Sequence, residues 1–170
     1  EITQGCNNTT VAPTKNAFKN LQNEGLGKKT VLTGDVMVDA LYQNQDKVDL
    51  NRIRINDEKL TESYCLMTLH RPYNVDNPVK LKRILKKLGY LKEKIIFPIH
   101  PRTKNVLYNN KIGLNDNIVL IKPQGYLDFL CLLKFSKKVI TDSGGLQKEA
   151  YILKKPCFTI RPETEWVETT

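Results

Sequence analysis

The stretch T-D-S-G-G-L-Q-K-E-A, residues 141–150, places an acid, a hydroxyl and two glycines between the apolar runs K-K-V-I and C-F-T-I. Ser143 or Gly144 can cap a helix that starts at Gly145, leaving backbone N–H groups aimed outward. Glycines let a phosphate approach that backbone, and the helix dipole favours negative charge there. Glu149 lies one turn further along the same face. A carboxylate there repels a phosphate in direct contact but is placed to accept hydrogen bonds from a ribose diol. The competing reading is a glycine turn for helix–strand packing with a solvated Glu149. No G-K-[ST] follows and no G-x-G-x-x-G is present, so ATP and NAD are poor fits. Asp142 lacks the partner motifs of an aspartyl-phosphate enzyme, and no Cys/His/carboxylate cluster has metal spacing.

Four more strand-like runs end in loaded loops. Y-C-L-M-T-L (64–69) leads into His70-Arg71, and I-I-F-P-I (95–99) into His100-Pro101-Arg102-Thr103. N-I-V-L-I (117–121) leads into Pro123-Gln124-Gly125-Tyr126, and C-F-T-I (157–160) into Arg161-Pro162-Glu163-Thr164-Glu165. Ligands of open parallel sheets bind at the carboxyl ends of strands. Each exit alone is weak, since polar loops always follow strands. Five such exits, carrying both histidines and three arginines, argue for an anionic-ligand cleft.

The elements that position these residues alternate regularly. Helical spacing over 78–93 follows Asn77-Pro78, and further helices are predicted near 103–111, 125–136 and 145–154. Strands separated by helices of this length imply right-handed crossovers and a parallel sheet covered on both faces. The fold class is α/β with a Rossmann-like parallel sheet. Residues 1–50 differ: a helix at 14–24 stopped by Gly25, one strand at 30–33 and a helix at 36–46. One strand cannot make a sheet, so these elements are expected at a sheet edge or in a neighbouring domain. The polar segment 44–62 reads as a connection.

The chain has 170 residues, 40% of them hydrophobic, enough for one α/β domain with a core. Its net charge of +9 raises the question of nucleic acid. However, Lys80, Lys82, Lys86, Lys87, Lys92 and Lys94 surround the apolar series Leu81, Ile84, Leu85, Leu88 and Leu91 of one amphipathic segment. Aromatics do not alternate with the basic residues as base stacking requires, so no nucleic acid is expected. Cys6, Cys65, Cys131 and Cys157 form no C-x-x-C pair, and a cytoplasmic protein without membrane spans is expected. With no initiator Met, residue 1 is expected to be internal to a longer reading frame.

The chain resembles the non-hydrolysing UDP-N-acetylglucosamine 2-epimerases. The resemblance rests on P-T-K-N-A-F-K-N-L-Q-N-E-G, T-G-D-V-M-V-D-A-L, T-L-H-R-P-Y-N-V-D-N-P, F-P-I-H-P-R-T, Q-G-Y-L-D-F and T-D-S-G-G-L-Q-K-E-A…K-K-P-C…R-P-E-T-E-W-V-E-T, in family order over 12–169. It implies a glycosyltransferase-B-like two-domain fold. Residues 1–50 would be a remnant of the N-terminal domain with its linker, and 51–170 a nucleotide-binding C-terminal domain lacking its final helices. The implied reaction is reversible inversion at C2 of the sugar, by anti elimination and re-addition of UDP, with no metal or redox cofactor. Carried over by motif, His70 faces the departing UDP as the catalytic residue, and Gln124 and Phe129 lie around the uracil and ribose. Ser143, Gly144 and Gly145 would hold the diphosphate and Glu149 the ribose hydroxyls. Arg71, His100, Arg102, Asp142, Arg161 and Glu165 are further substrate-binding or structural candidates. The acid/base carboxylates would lie in the missing domain, so the fragment is expected to be inactive alone. The full-length enzyme is expected to be a homodimer.

Two departures bear on the sugar. T-E-W-V-E stands where many members read T-E-R-P-E, so Trp166 replaces an arginine, and His70-Arg71-Pro72-Tyr73-Asn74 stands for H-R-R-E-N. The variant motifs are similar to those of enzymes acting on UDP-diacetamido-uronates. H-P-R-T at 100–103 differs from the H-x-N-P of members regulated by a second nucleotide, and that allosteric site is not carried over. A UDP-sugar glycosyltransferase domain is the alternative within the fold, and a basic nucleic-acid module the alternative outside it.

Overall fold

The computed structural model describes residues 9–49, 53–55, 58–60 and 63–162. The chain divides into two compact units, Glu1–Asn44 and Gln45–Thr170.

In the first unit, β1 (Thr10–Ala12) pairs in parallel with β2 (Thr30–Leu32), so the strand expected to stand alone has a partner. T-V-A is too short to register as a strand in sequence. Between them runs α1 (Lys15–Asn23), capped by the Thr14 side chain accepting from Ala17 N. Gly25, at φ +80°, ends that helix where a side chain would strain the backbone. A helix α2 (Val36–Asn44) follows.

The second unit opens with two short antiparallel strands, β3 (Arg54–Ile55) and β4 (Glu58–Lys59), in the segment expected to be a plain connection. Ile53, Ile55 and Leu60 are buried, which gives this stretch a reason to be ordered. The main sheet has five strands: β5 (Tyr64–Thr68), β6 (Lys94–Pro98), β7 (Ile118–Ile121), β8 (Lys138–Thr141) and β9 (Cys157–Thr159). All of its pairings are parallel, in the order β7-β6-β5-β8-β9. The helices between them are α3 (Pro72–Val75), α4 (Pro78–Leu88), α5 (Pro101–Asn109), α6 (Tyr126–Phe135) and α7 (Gly144–Ile152).

Alternation along the strands sends side chains to two covered faces. Cys65, Met67 and Leu69 pack in one cluster with Leu81 and Leu85 of α4, Leu107 of α5, and Ile95 and Phe97 of β6. Tyr64 points the other way, and its hydroxyl donates to Leu132 O of α6 at 2.7 Å. The helix expected over 78–93 stops at Leu88, with Gly89 as its C-cap. Asn117 gives the reason: its amide nitrogen gathers the carbonyls of Leu88, Leu91 and Glu93 and turns the chain into β6.

Candidate active site

The strand order places a reversal between β5 and β8. The chain runs outward through β6 and β7, then returns to the opposite side of β5. Ligands of open α/β sheets bind in the crevice at such a switch point, beyond the carboxyl ends of the strands. His70-Arg71 leaves β5 there and Asp142-Ser143 leaves β8, so two of the predicted exits become neighbours.

Asp142 is fully buried and joins them. Its carboxylate accepts the backbone N–H of His70 at 3.1 Å to both oxygens, and that of Arg71 at 2.9 Å. The Asn74 amide donates to it at 3.1 Å, and His70 Nδ1 lies 3.3 Å from it. Asn74 also donates to Ile160 O at 2.8 Å, tying in the exit of β9. Arg71 adds a longer bond from Nε to Asp142 O, at 3.4 Å. Below this, the paired Thr68 and Thr141 share a hydroxyl hydrogen bond of 2.6 Å, and Thr141 Oγ1 accepts from Ser143 N at 2.9 Å.

Ser143 is the N-cap of α7, accepting from Leu146 N at 3.4 Å, and the helix begins at Gly144 rather than Gly145. Gly144 and Gly145 therefore occupy its first turn, where N–H groups have no helical acceptor. Glu149 is not a solvated surface carboxylate: it is 7% exposed. Burial raises its pKa, opposed by Lys148 and by a hydrogen bond with Tyr126, the residue that opens α6. Tyr126 is itself raised, by burial first and then by Glu149.

His70 is half-buried. Burial lowers its pKa, Asp142 opposes that, and Arg71 and His100 add to the lowering. His100 approaches from the exit of β6, its ring centroid 5.7 Å from that of His70. It caps α5 by accepting Arg102 N on Nδ1 at 3.2 Å. Arg102 turns elsewhere and forms a two-pronged ion pair with Asp76, with Nε–Oδ1 at 2.7 Å. Gln124 donates to Lys122 O within its own loop, and Phe129 lies half-buried in α6. Arg161 is half-buried one residue beyond Ile160. Glu165 and Trp166 lie outside the described residues.

The structure thus brings together His70, Arg71, His100, Asp142, Ser143, Gly144 and Gly145, while Arg102 is taken up by Asp76 at the end of α3 and Gln124 bonds within its own loop. Asn74, Thr141 and Tyr126 were not singled out as site residues in sequence. Asn74 and Thr141 lie beside His70 and Asp142 in the quoted motifs, which was the available signal. Among the described residues no cluster has the makings of a metal site, and no helix is long and apolar enough to cross a membrane.

Fold and site define a Rossmann-like α/β protein whose polar loops converge at the sheet's switch point. All of it, residues 1–170, matches the profile of the family described as UDP-N-acetylglucosamine 2-epimerase. The chain belongs to that family. It is 42% identical over 174 residues to a UDP-N-acetylglucosamine 2-epimerase homolog of Methanococcus maripaludis, covering 99% of this chain and 49% of the relative. It is 41% identical over 163 residues to the UDP-2,3-diacetamido-2,3-dideoxy-D-glucuronate 2-epimerase of Pseudomonas aeruginosa, covering 92% and 44% respectively. The Methanocaldococcus jannaschii UDP-GlcNAc 2-epimerase, solved in complex with UDP-GlcNAc and UDP, matches with a TM-score of 0.84 and 41% identity. That match covers 95% of this chain and 48% of the other. The chain spans about half the length of the curated relatives it matches.

Proposed function

We propose that this chain is the nucleotide-binding, C-terminal part of an enzyme that inverts C2 of UDP-N-acetylglucosamine to give the manno epimer. In this reading the complete enzyme has a glycosyltransferase-B-like two-domain fold, and residues 1–50 close its first domain. Elimination needs a base for the C2 proton and stabilisation of the departing diphosphate. The residues described here supply the second requirement. Ser143, Gly144 and Gly145 cradle the diphosphate in the first turn of α7, His70 faces the leaving oxygen, and Glu149 accepts the ribose hydroxyls. Gln124 and Phe129 border the uracil and ribose. The carboxylates that move the C2 proton belong to the first domain, so this chain alone binds UDP without turnover. The complete enzyme acts as a homodimer.

One observation carries the reading: Asp142 holds the His70 segment against the α7 cradle at the switch point, across 72 residues of sequence. Calorimetric titration with UDP tests it. Binding is expected for the chain and a loss is expected for Glu149→Ala and Ser143→Ala. Undiminished binding in both variants rejects the site. Salt-dependent binding of DNA or RNA with no response to UDP rejects the ligand class.

A second reading, an epimerase of a UDP-diacetamido-uronate, is favoured by H-R-P-Y-N at 70–74 and by Trp166. Identity does not separate the two sugars, being 42% to the first relative and 41% to the Pseudomonas aeruginosa enzyme. Turnover assays of the full-length enzyme with both UDP-sugars decide it.

A further inference from the structure

His70 and Asp142 meet in a way that limits what the imidazole can offer a ligand. A carboxylate only accepts hydrogen bonds, so the ring nitrogen turned toward it carries the hydrogen. Nδ1 lies 3.3 Å from the Asp142 carboxylate, which is fully buried, while the His70 side chain is 34% exposed. The exposed side of the ring is therefore the Nε2 side. In the neutral ring with hydrogen on Nδ1, Nε2 is a bare acceptor. A phosphate oxygen is an acceptor too. The two cannot share a hydrogen bond unless a proton enters between them.

We infer that Asp142 is a positioning residue for His70: it holds the imidazole in the Nδ1–H tautomer, so that a bound diphosphate is engaged only by taking up a solvent proton on Nε2. The role in ligand binding rests on the proposed UDP reading, whereas the tautomer does not. The proton comes from water and remains on Nε2, between ring and phosphate oxygen, while Asp142 stays beside Nδ1–H. The imidazolium so formed lies between two anions.

The groups facing His70 act together on this step. Asp142, from the end of β8, favours the imidazolium. Arg71, on the same loop, and His100, from the cap of α5, oppose it. Asn74 of α3 holds Asp142 from the side without charge. Burial keeps the free ring neutral at physiological pH, so the proton is absent before the anion arrives.

The tautomer is read directly from two-bond ¹H–¹⁵N spectra of the chain. It contains two histidines, which His100→Gln separates. His70 is expected with a protonated Nδ1 and a bare Nε2, and the Nε2–H tautomer overturns the positioning role. Asp142→Asn, which turns an amide NH₂ toward the ring, is expected to switch His70 to Nε2–H. A fold-retaining Asp142→Asn chain with an unchanged tautomer also overturns it, and if that variant does not fold the wild-type spectrum still decides. Proton uptake is measured by titrating UDP at about pH 7.5 in buffers of differing ionisation enthalpy, against His70→Gln. That variant subtracts the ionisation of the ligand's own terminal phosphate, near about pH 6. The wild type is expected to take up more proton than the variant, its affinity gaining up to about tenfold per pH unit as pH falls toward the free His70 value. Equal uptake overturns the proton step. Absence of UDP binding overturns the ligand reading together with the proton step, and leaves the tautomer result standing on its own.

Discussion

The two halves of the sheet's carboxyl edge are built on different plans. The exits of β5, β8 and β9 are wired to one another: Asp142 bonds to His70, Arg71 and Asn74, and Asn74 bonds to Ile160. The exits of β6 and β7 are held more loosely: one buried bond, from the Thr103 hydroxyl to Leu69 O, ties the first of them to the end of β5. His100 caps its own helix, Arg102 pairs with Asp76, and Gln124 bonds two residues back. The first half converges on one fully buried carboxylate, whereas the side-chain bonds of His100, Arg102 and Gln124 lie at the surface. A polar loop after a strand therefore carries little information by itself. What distinguishes a prepared site is whether its polar groups are fixed by partners from other exits.

Asp142→Ala strikes the wired half hardest. It leaves three backbone or amide donors without their acceptor and removes the charge facing the His70 ring, a loss of roughly 3 kcal/mol or more. Urea denaturation of the second unit checks this, and a midpoint shift as small as that of an exposed substitution would erase the contrast between the halves. Asn74→Ala comes next, with a loss of about 2 kcal/mol, since both Asp142 and Ile160 O lose a donor. Hydrogen exchange should rise at Ile160 and Arg161 in that variant. Unchanged exchange there would mean that Asn74 does not link the exits.

Glu149 gives a subtler test, because its carboxyl is raised by burial. The folded chain binds more protons than the unfolded one between the ordinary carboxyl value and the raised one. Stability therefore falls as pH rises across that window, and above it the loss is complete. Glu149→Gln should abolish this slope and be neutral or stabilising at neutral pH, as followed by thermal melts across pH. In the looser half, Arg102→Ala should leave the melting midpoint within error, since the Arg102–Asp76 pair is exposed to water. A large drop would show that this exit, too, is structural.

Much of this edge could be read in advance and some could not. The strands and helices from residue 64 onward follow from period and punctuation, such as Asn77-Pro78 starting α4 and the apolar run ending at Ile99. Five loaded exits were visible as a set. Strand order was not, because pairing β8 beside β5 is decided by packing between residues more than 70 apart, as with Thr68 and Thr141. Hence the switch point, and the role of Asp142 within it, emerged only in three dimensions. The short pieces were missed for a different reason. T-V-A at β1 and P-Y-N-V at α3 hold fewer residues than either period needs to show itself. The end of α4 depended on Asn117, a side chain 29 residues away from the Leu88 carbonyl it captures.

The parallel pairing of β5 with β8 has a consequence for how the protein comes into being. At about 5–20 residues per second of synthesis, the 72 residues separating His70 from Asp142 take roughly 4–14 s to emerge. Within that time β6 and then β7 are made, and each can pair with its neighbour in sequence before β8 exists. A nascent chain at that stage exposes the flank of β5 that β8 will cover, with its histidine loop still unanchored. Whatever shields that flank on the ribosome guards the candidate site as well, since the two are completed by the same strand.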